Sequence, residues 1–314
     1  MADELAQDVA RGWREAMLAG DWEAAWRQTD RVEGPRRAAQ RAPGFVRDPA
    51  QLVWDGSSFA GRSVLVRCEH GLGDTLQFSR FLPALSRQAR ELQVMAQPHL
   101  VELLRGLPGA GEVKDGWCGP EAWPSCEVEV EVMELAYALR CAAPPPPYPH
   151  LAGQLPQPHR VSIADDGRLR VALLWAASEW DTSRSLTLGA LEQLLRVPDV
   201  AFYSLQQGPL ADDPQLERLG ICPLSPRTAA IADAAGAMMQ VHLVISVDGM
   251  PAHLAATLGR PTWLMLKHDA DWRWLEGRTD TPWYPTMRLF RQAQPGDWRG
   301  VTRDVAAALR SRQL

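Results

Sequence analysis

Nowhere does this chain carry the roughly 18 to 20 consecutive apolar residues that a bilayer-spanning helix needs, so no transmembrane segment is expected. The opening MADELAQDVARGW contains acids and lacks the basic-then-apolar order of a secretory signal, which predicts a cytoplasmic protein. Cysteine is sparse: Cys68, Cys118, Cys126, Cys141 and Cys222 form no C-x-x-C pair. That excludes both zinc-ligand spacing and a disulfide framework, so no metal site is expected. A basic stripe is also missing, because 33 Lys and Arg stand against 38 Asp and Glu, a net charge of −5, and are scattered. Nucleic acid is therefore excluded as a partner. No G-x-G-x-x-G follows either leading strand, which disfavours a dehydrogenase. Tyrosine and phenylalanine are few, four and six, but there are 13 tryptophans, and Trp272, Trp274, Trp283 and Trp298 crowd the last fifth of the chain. They predict an aromatic core patch bracing a final helix, Val301 to Leu309; stacking of Asp269-Ala-Asp-Trp-Arg-Trp on a sugar or base is the other reading.

What is present reads as an appendage and two α/β lobes, as 314 residues exceed the usual size of one core. Residues 3 to 33 predict two short helices broken at Gly20, with Leu5, Val9, Trp13 and Met17 as an apolar stripe and Asp21 capping the second. The Gly20-Asp21-Trp22 turn with Ala24 and Ala25 resembles one tetratricopeptide repeat. A single repeat cannot bury its own face, so it must lean on its own neighbour or on a protein partner. A Pro/Arg/Gly-rich link fills residues 34 to 50. Strand, glycine turn and helix then follow from Arg62 to Leu85, with strands at Leu92 to Ala96, near residue 112 and at 127 to 132, and a helix from Pro98 to Leu107. The prolines at 144 to 147 begin a connector reaching Gly167. The pattern restarts at Leu169 to Trp175, with strands at Val200 to Leu205, Val241 to Val247 and Thr262 to Leu266 and helices near 187 to 197, 228 to 240 and 251 to 258. The expected domains are 1–50, a helical hairpin and linker; 51–155, an acceptor lobe; and 156–314, a nucleotide-sugar lobe whose last helix packs back on the first. Strands alternating with helices predict two doubly wound Rossmann-like domains with parallel sheets, whose ligands sit at the carboxyl ends of the strands.

Three segments at such ends carry chemistry. After the strand ending at Val247, Asp248-Gly249-Met250-Pro251 opens a helix, with Pro251 expected at its first position. The backbone donors of Gly249, Met250 and Ala252, with the helix dipole, form a seat for a pyrophosphate, and His253 lies on the first turn. The competing reading is a tight strand-helix junction with His253 packed inside. In Glu69-His70-Gly71-Leu72-Gly73-Asp74-Thr75, Gly71, Gly73 and Thr75 shape a turn, and Asp74 is either a helix cap or a base for an attacking hydroxyl. In Trp175 to Ser185, the guanidinium of Arg184 can stabilise a departing diphosphate, beside the hydroxyls of Ser178, Thr182, Ser183 and Ser185. Gln206, in Ser204-Leu-Gln-Gln-Gly208, adds amide contacts at the next strand end.

These segments, in this order with Asp271-Trp-Arg-Trp-Leu275 and Pro282 to Gln292, resemble the heptosyltransferase-like glycosyltransferases often fused to tetratricopeptide repeats, from about Trp54 to the C-terminus. The resemblance implies a bacterial-type, cytoplasmic GT-B enzyme that transfers a hexosyl or heptosyl group from a nucleotide sugar to a glycan or protein acceptor, inverting, without metal or other cofactor. It places the base on Asp74 and the donor diphosphate by Asp248 to His253. The chain departs from the family at Gly249, where a hydroxyl is usual, at Pro251, which removes a backbone donor, at Ala177, where glycine is usual, and at Gln207, where lysine is usual. Each change weakens the anion seat. A catalytically degenerate GT-B scaffold that binds nucleotides or proteins is therefore the alternative, and a nucleotide-sugar epimerase is a third reading.

Overall fold

The structure is a computed structural model, which describes residues 2–45, 53–118, 123–146, 161–177 and 179–312. They form two compact units, Met1–Pro146 with Asp271–Gly277, and Pro147–Ala270 with Arg278–Leu314. The domain boundary expected at residues 155–156 and most of the proline connector lie outside the described residues.

Unit 1 opens with α1 (Ala2–Ala19) and α2 (Trp22–Gln40). Gly20 stops α1 because it can take a left-handed φ of 75°. Its N–H donates to the Met17 carbonyl and that of Asp21 to the Ala16 carbonyl at 2.8 Å, the paired bonds of a Schellman stop. Asp21 then caps α2 by accepting the Ala24 N–H at 2.9 Å, as its sequence position predicts. The apolar stripe holds at Val9 and Met17, both buried, but Leu5 is exposed. Both helices exceed the expected lengths, and α2 runs through Gly34 and Pro35 into the predicted link. Tertiary bonds compensate for the proline: Arg37 donates to the Trp54 carbonyl at 2.9 Å, and Gln40 exchanges two bonds with the backbone of Val53.

The remainder of the unit consists of β1 (Ser63–Arg67), α3 (Leu72–Phe78), α4 (Leu82–Ser86), β2 (Glu91–Ala96), α5 (Pro98–Leu104), β3 (Glu112–Asp115), β4 (Val128–Glu131) and α6 (Leu135–Ala138). The sheet order is β3-β2-β1-β4, all parallel. The hairpin leans on this unit. Trp26 donates to the Cys141 carbonyl at 2.8 Å, and Asp30 accepts from Tyr137 at 2.7 Å and from Arg140. Trp272, from the 271–277 segment, meets Trp13 edge to face at 5.2 Å. Trp272 was expected to brace the final helix; it braces the hairpin instead, because its segment packs with unit 1.

Unit 2 runs β5 (Leu169–Leu174), α7 (Glu192–Leu195), β6 (Val200–Ser204), α8 (Gln215–Arg218), β7 (Ile221–Pro223), α9 (Ile231–Met238), β8 (Leu243–Val247), α10 (Met250–Thr257), β9 (Thr262–Leu266), β10 (Met287–Arg291) and α11 (Trp298–Arg310). Its sheet, again parallel, is ordered β10-β9-β8-β5-β6-β7. The strands β8 and β9 are buried at every residue, which explains why their sequences are apolar apart from Ser246 and Thr262. The edge strands β7 and β10 were not anticipated, since Ile-Cys-Pro and Met-Arg-Leu-Phe-Arg are short or mixed and gain strand form only by pairing. The closing helix α11 belongs to the core of this unit: Val305 and Leu309 pack with Leu173, Trp175 and Ile245, and the Thr302 hydroxyl donates to the Ala190 carbonyl at 2.7 Å.

Trp26 is buried, fills the hairpin interface and makes a hydrogen bond there. We therefore predict that Trp26→Ala lowers the stability of the chain by about 3–5 kcal/mol in urea unfolding followed by circular dichroism. A loss below about 1 kcal/mol would contradict this packing.

Candidate functional site

Parallel pairing gathers the chemistry-bearing residues at the carboxyl ends of strands, and strand order gives each sheet a place where connections depart in opposite directions. In unit 2 that place lies between β5 and β8. The chain leaving β5 carries Arg184, and the chain leaving β8 carries Asp248. Arg184 donates to the Asp248 carbonyl at 3.1 Å, so two predicted site residues 64 positions apart meet at the switch point. The guanidinium also reaches the Asp181 carbonyl at 3.4 Å and packs on the Trp180 ring at 5.0 Å.

Lys267, just beyond β9, fixes this loop by donating to Asp181 at 2.7 Å and to the Ser183 hydroxyl at 3.1 Å. The ammonium holds the Asp181 carboxyl below its usual range, followed in effect by the Ser183 hydroxyl. The sequence reading passed over Lys267, yet a lysine directly after a predicted strand is a detectable signal at such an edge. Ser185 accepts the Ala177 N–H at 3.0 Å, bracing the loop's other end. Ser178 lies outside the described residues.

Gly249 precedes α10 in extended conformation and Met250 is its first residue, so Pro251 stands second, not first as expected. Its missing N–H costs nothing there, because the first helical donors have no intrahelical acceptor. The Ala252 N–H, expected to face a ligand, instead donates to the Gly249 carbonyl at 3.1 Å. Gly249 and Met250 retain N–H groups without a partner among the described residues. His253 is buried, and its Nδ1 meets the Tyr284 hydroxyl at 2.9 Å, so its ring points into packing. The Gln206 amide exchanges two bonds of 3.2 Å with the backbone of Ala176, tying the end of β6 to that of β5. Gln207, in the position where lysine is usual, donates to the Thr228 hydroxyl at 2.9 Å.

In unit 1 the switch point falls between β1 and β4. Gly71 caps α3, and Asp74, three residues on, reaches back to accept the Gly71 N–H at 3.1 Å. The same carboxylate is ion-paired with Arg273, whose guanidinium also lies against Trp272 and Phe78. Thr75 is buried and bonded to Gln97, which also donates to the His70 carbonyl at 2.8 Å. Gly73 lies within the first turn of α3.

Beside this turn is a group the sequence could not assemble. His70, which follows β1, contacts through Nδ1 the Glu131 carboxylate that ends β4, at 3.0 Å. Glu131 is buried and also accepts the N–H groups of Met133 and Glu69. The hydrogen bond that the ring donates to Glu131 pushes the His70 imidazole above its usual range, and burial offsets only part of this. Burial raises the neighbouring Glu69 carboxyl despite its ion pair with the buried Arg67. A cavity of about 530 Å³ elsewhere in the unit, lined by Val9, Trp13, Trp26 and Tyr137 among others, touches none of the predicted site residues.

The chain has an α/β fold of two Rossmann-like units with an N-terminal helical hairpin, and it resembles the heptosyltransferase-like GT-B structures. The E. coli heptosyltransferase WaaC with ADP-2-deoxy-2-fluoro heptose is 12% identical with a TM-score of 0.54, covering 80% of this chain and 100% of that one. The glycosyl transferase family 9 structure from Veillonella parvula is 12% identical with a TM-score of 0.51, covering 81% and 97%. Among curated sequences, Protein FlbA of Caulobacter vibrioides is 28% identical over 82% of this chain, which spans about half, 48%, of that relative's length. No family model matches the sequence. No helix of the described residues is long and apolar enough to cross a membrane.

The buried His253–Tyr284 pair gives a test of the packed geometry at α10. Tyr284→Phe leaves a buried imidazole nitrogen without its partner, and we expect a loss of about 1–3 kcal/mol in denaturant unfolding. An unchanged midpoint would mean that water or another group reaches His253.

Proposed function

We propose that this chain is a glycosyltransferase that moves a sugar from a nucleotide-sugar donor to a hydroxyl of a glycan or protein, inverting the anomeric centre and needing no metal or other cofactor. The observation that carries the reading is the bond between Arg184 and the Asp248 carbonyl. It joins a cation to the start of α10 at the switch point of the unit 2 sheet, the place where such folds take up phosphates. In this reading the Arg184 guanidinium and the N–H groups of Gly249 and Met250 receive the diphosphate, and Lys267 holds the loop that carries Arg184. Asp248 and Ser185 shape the seat; Gln206 and His253 act through packing. The seat is made for charge that grows as the leaving group departs, so its effect belongs to the transition state.

Support also comes from the structural relatives, one of which was solved with ADP-2-deoxy-2-fluoro heptose. On the acceptor side the reading uses the turn of Gly71, Gly73, Asp74 and Thr75. Asp74 already binds Arg273 and the Gly71 N–H. A cytoplasmic setting, where nucleotide sugars are at hand, fits the same reading.

A specific observation favours the alternative of a nucleotide-binding scaffold without turnover. Ala252 N–H, Gln206 and Gln207, each a possible diphosphate donor, are spent on internal bonds. The two readings diverge in one assay, release of nucleoside diphosphate from a panel of nucleotide sugars with and without acceptor. Turnover is expected in the wild type, and Arg184→Ala should lower kcat/KM for the donor by about 100- to 1000-fold. Nucleoside diphosphate binding by calorimetry with no turnover would favour the scaffold; equal turnover in Arg184→Ala would remove the assigned role of the guanidinium.

A further inference from the structure

The transferase reading needs a group that takes a proton from the acceptor hydroxyl, and the geometry of unit 1 offers one besides Asp74. Asp74 presents its two carboxylate oxygens to Arg273 and to the Gly71 N–H. Each oxygen of that carboxylate therefore already has a donor in place. His70, four residues earlier, differs in this. Its Nδ1 lies 3.0 Å from Oε1 of Glu131, and because a carboxylate only accepts, Nδ1 carries the hydrogen, so that in the neutral ring Nε2 presents its lone pair. No described residue bonds to Nε2, and the side chain is half exposed. Glu131 is held in turn: it is buried, and it accepts the Met133 N–H at 2.6 Å and the Glu69 N–H at 3.3 Å. The His70 carbonyl is pinned by Gln97 at 2.8 Å. A base oriented by a fixed carboxylate, with its other nitrogen open, is the arrangement that activates hydroxyl nucleophiles on unrelated folds. Here it stands at the β1/β4 switch point, where the strand order makes a crevice.

We propose that His70, oriented by Glu131, takes the proton from the acceptor hydroxyl, while Asp74 is a positioning residue that holds Arg273. The inference rests on the transferase reading. In the step, His70 Nε2 binds the hydroxyl proton as the acceptor oxygen forms its bond to the anomeric carbon. The bond from that carbon to the diphosphate oxygen breaks, and its electron pair leaves with the nucleoside diphosphate. The His70 proton then passes to water.

The charges facing His70 are Glu131 at the end of β4, Glu69 on its own loop and Asp74 on α3, all of which raise its proton affinity. Arg67 and Arg273 partly neutralise Glu69 and Asp74 by pairing with them. An imidazolium cannot accept a proton, so turnover must rise with pH as His70 loses its charge and then level off.

The test combines two measurements on the full chain. In a proton NMR titration, His70 should lose its proton above the ordinary imidazole range, and Glu131→Gln should move that titration to lower pH; an unmoved titration overturns the pairing and the proposal with it. In the nucleotide-sugar assay, His70→Gln should lower kcat by about 100- to 10,000-fold with little change in donor KM and should abolish the acid limb of the pH profile. Wild-type turnover retained in His70→Gln, with Asp74→Asn inactive, overturns the assignment of His70 and returns the role to Asp74. If the wild type turns over no donor while the His70 titration behaves as expected, the transferase reading itself has failed, and the catalytic role of His70 falls with it.

Discussion

In both sheets every pairing is parallel, and each sheet has a single point where successive connections turn in opposite directions. That constraint governs where chemistry can be built. Parallel strands need their crossovers at the ends, so the residues following β1, β4, β5 and β8 are free of ladder bonds and are brought beside one another. The two meetings have the same form. Arg184 after β5 touches Asp248 after β8, and His70 after β1 touches Glu131 at the end of β4. Neither pair is local in sequence; each exists because two adjacent parallel strands deliver their carboxyl ends to the same edge.

Once delivered, these polar groups face the cost of partial burial, and the structure meets it with nested bonds. Arg184 rests on a backbone carbonyl, its loop is anchored through Asp181, and Asp181 is anchored by Lys267. Glu131 is fixed by two N–H groups before it meets His70. Such chains set the direction of a charged group more narrowly than one contact can, because each member loses its rotamer freedom to the next. They also account for why several apparent donors do not face outward. Gln206 and Gln207 fall at a strand end where the backbone of Ala176 and the hydroxyl and carbonyl of Thr228 need partners, and satisfying those takes their amides.

The hairpin illustrates the same economy in apolar terms. One helical pair has too little surface for a core of its own, and here Trp22 and Trp26 are buried and Trp13 meets Trp272. The 271–277 segment does two jobs, packing Trp272 on the hairpin and placing Arg273 on Asp74. A substitution in that segment therefore acts on the packing of the hairpin and on the turn that carries Asp74 together.

Much of the fold was legible in the sequence. The largely apolar runs of β5, β8 and β9 and the glycine turns after β1 and β8 identify two wound α/β units, because a strand buried on both faces lacks a polar alternation. Asp21 as a cap and Gly20 as a stop were equally plain, since both act on their own backbone. The extension of α2 through Pro35 was not, for its support comes from Trp54 and Val53. Nor were β7 and β10, which owe their strand form to a neighbour. Of the candidate site, the sequence determined which residue types stand at strand ends. Tertiary structure alone decided their partners: that Asp74 is paired with Arg273, that His253 faces Tyr284, that Ala252 gives its N–H to Gly249, and that His70 has a carboxylate behind it. The physical reason is range. Capping, turns and periodicity act within a few residues and leave marks in the chain, whereas an ion pair across 199 positions depends on distances that only the packed sheets fix.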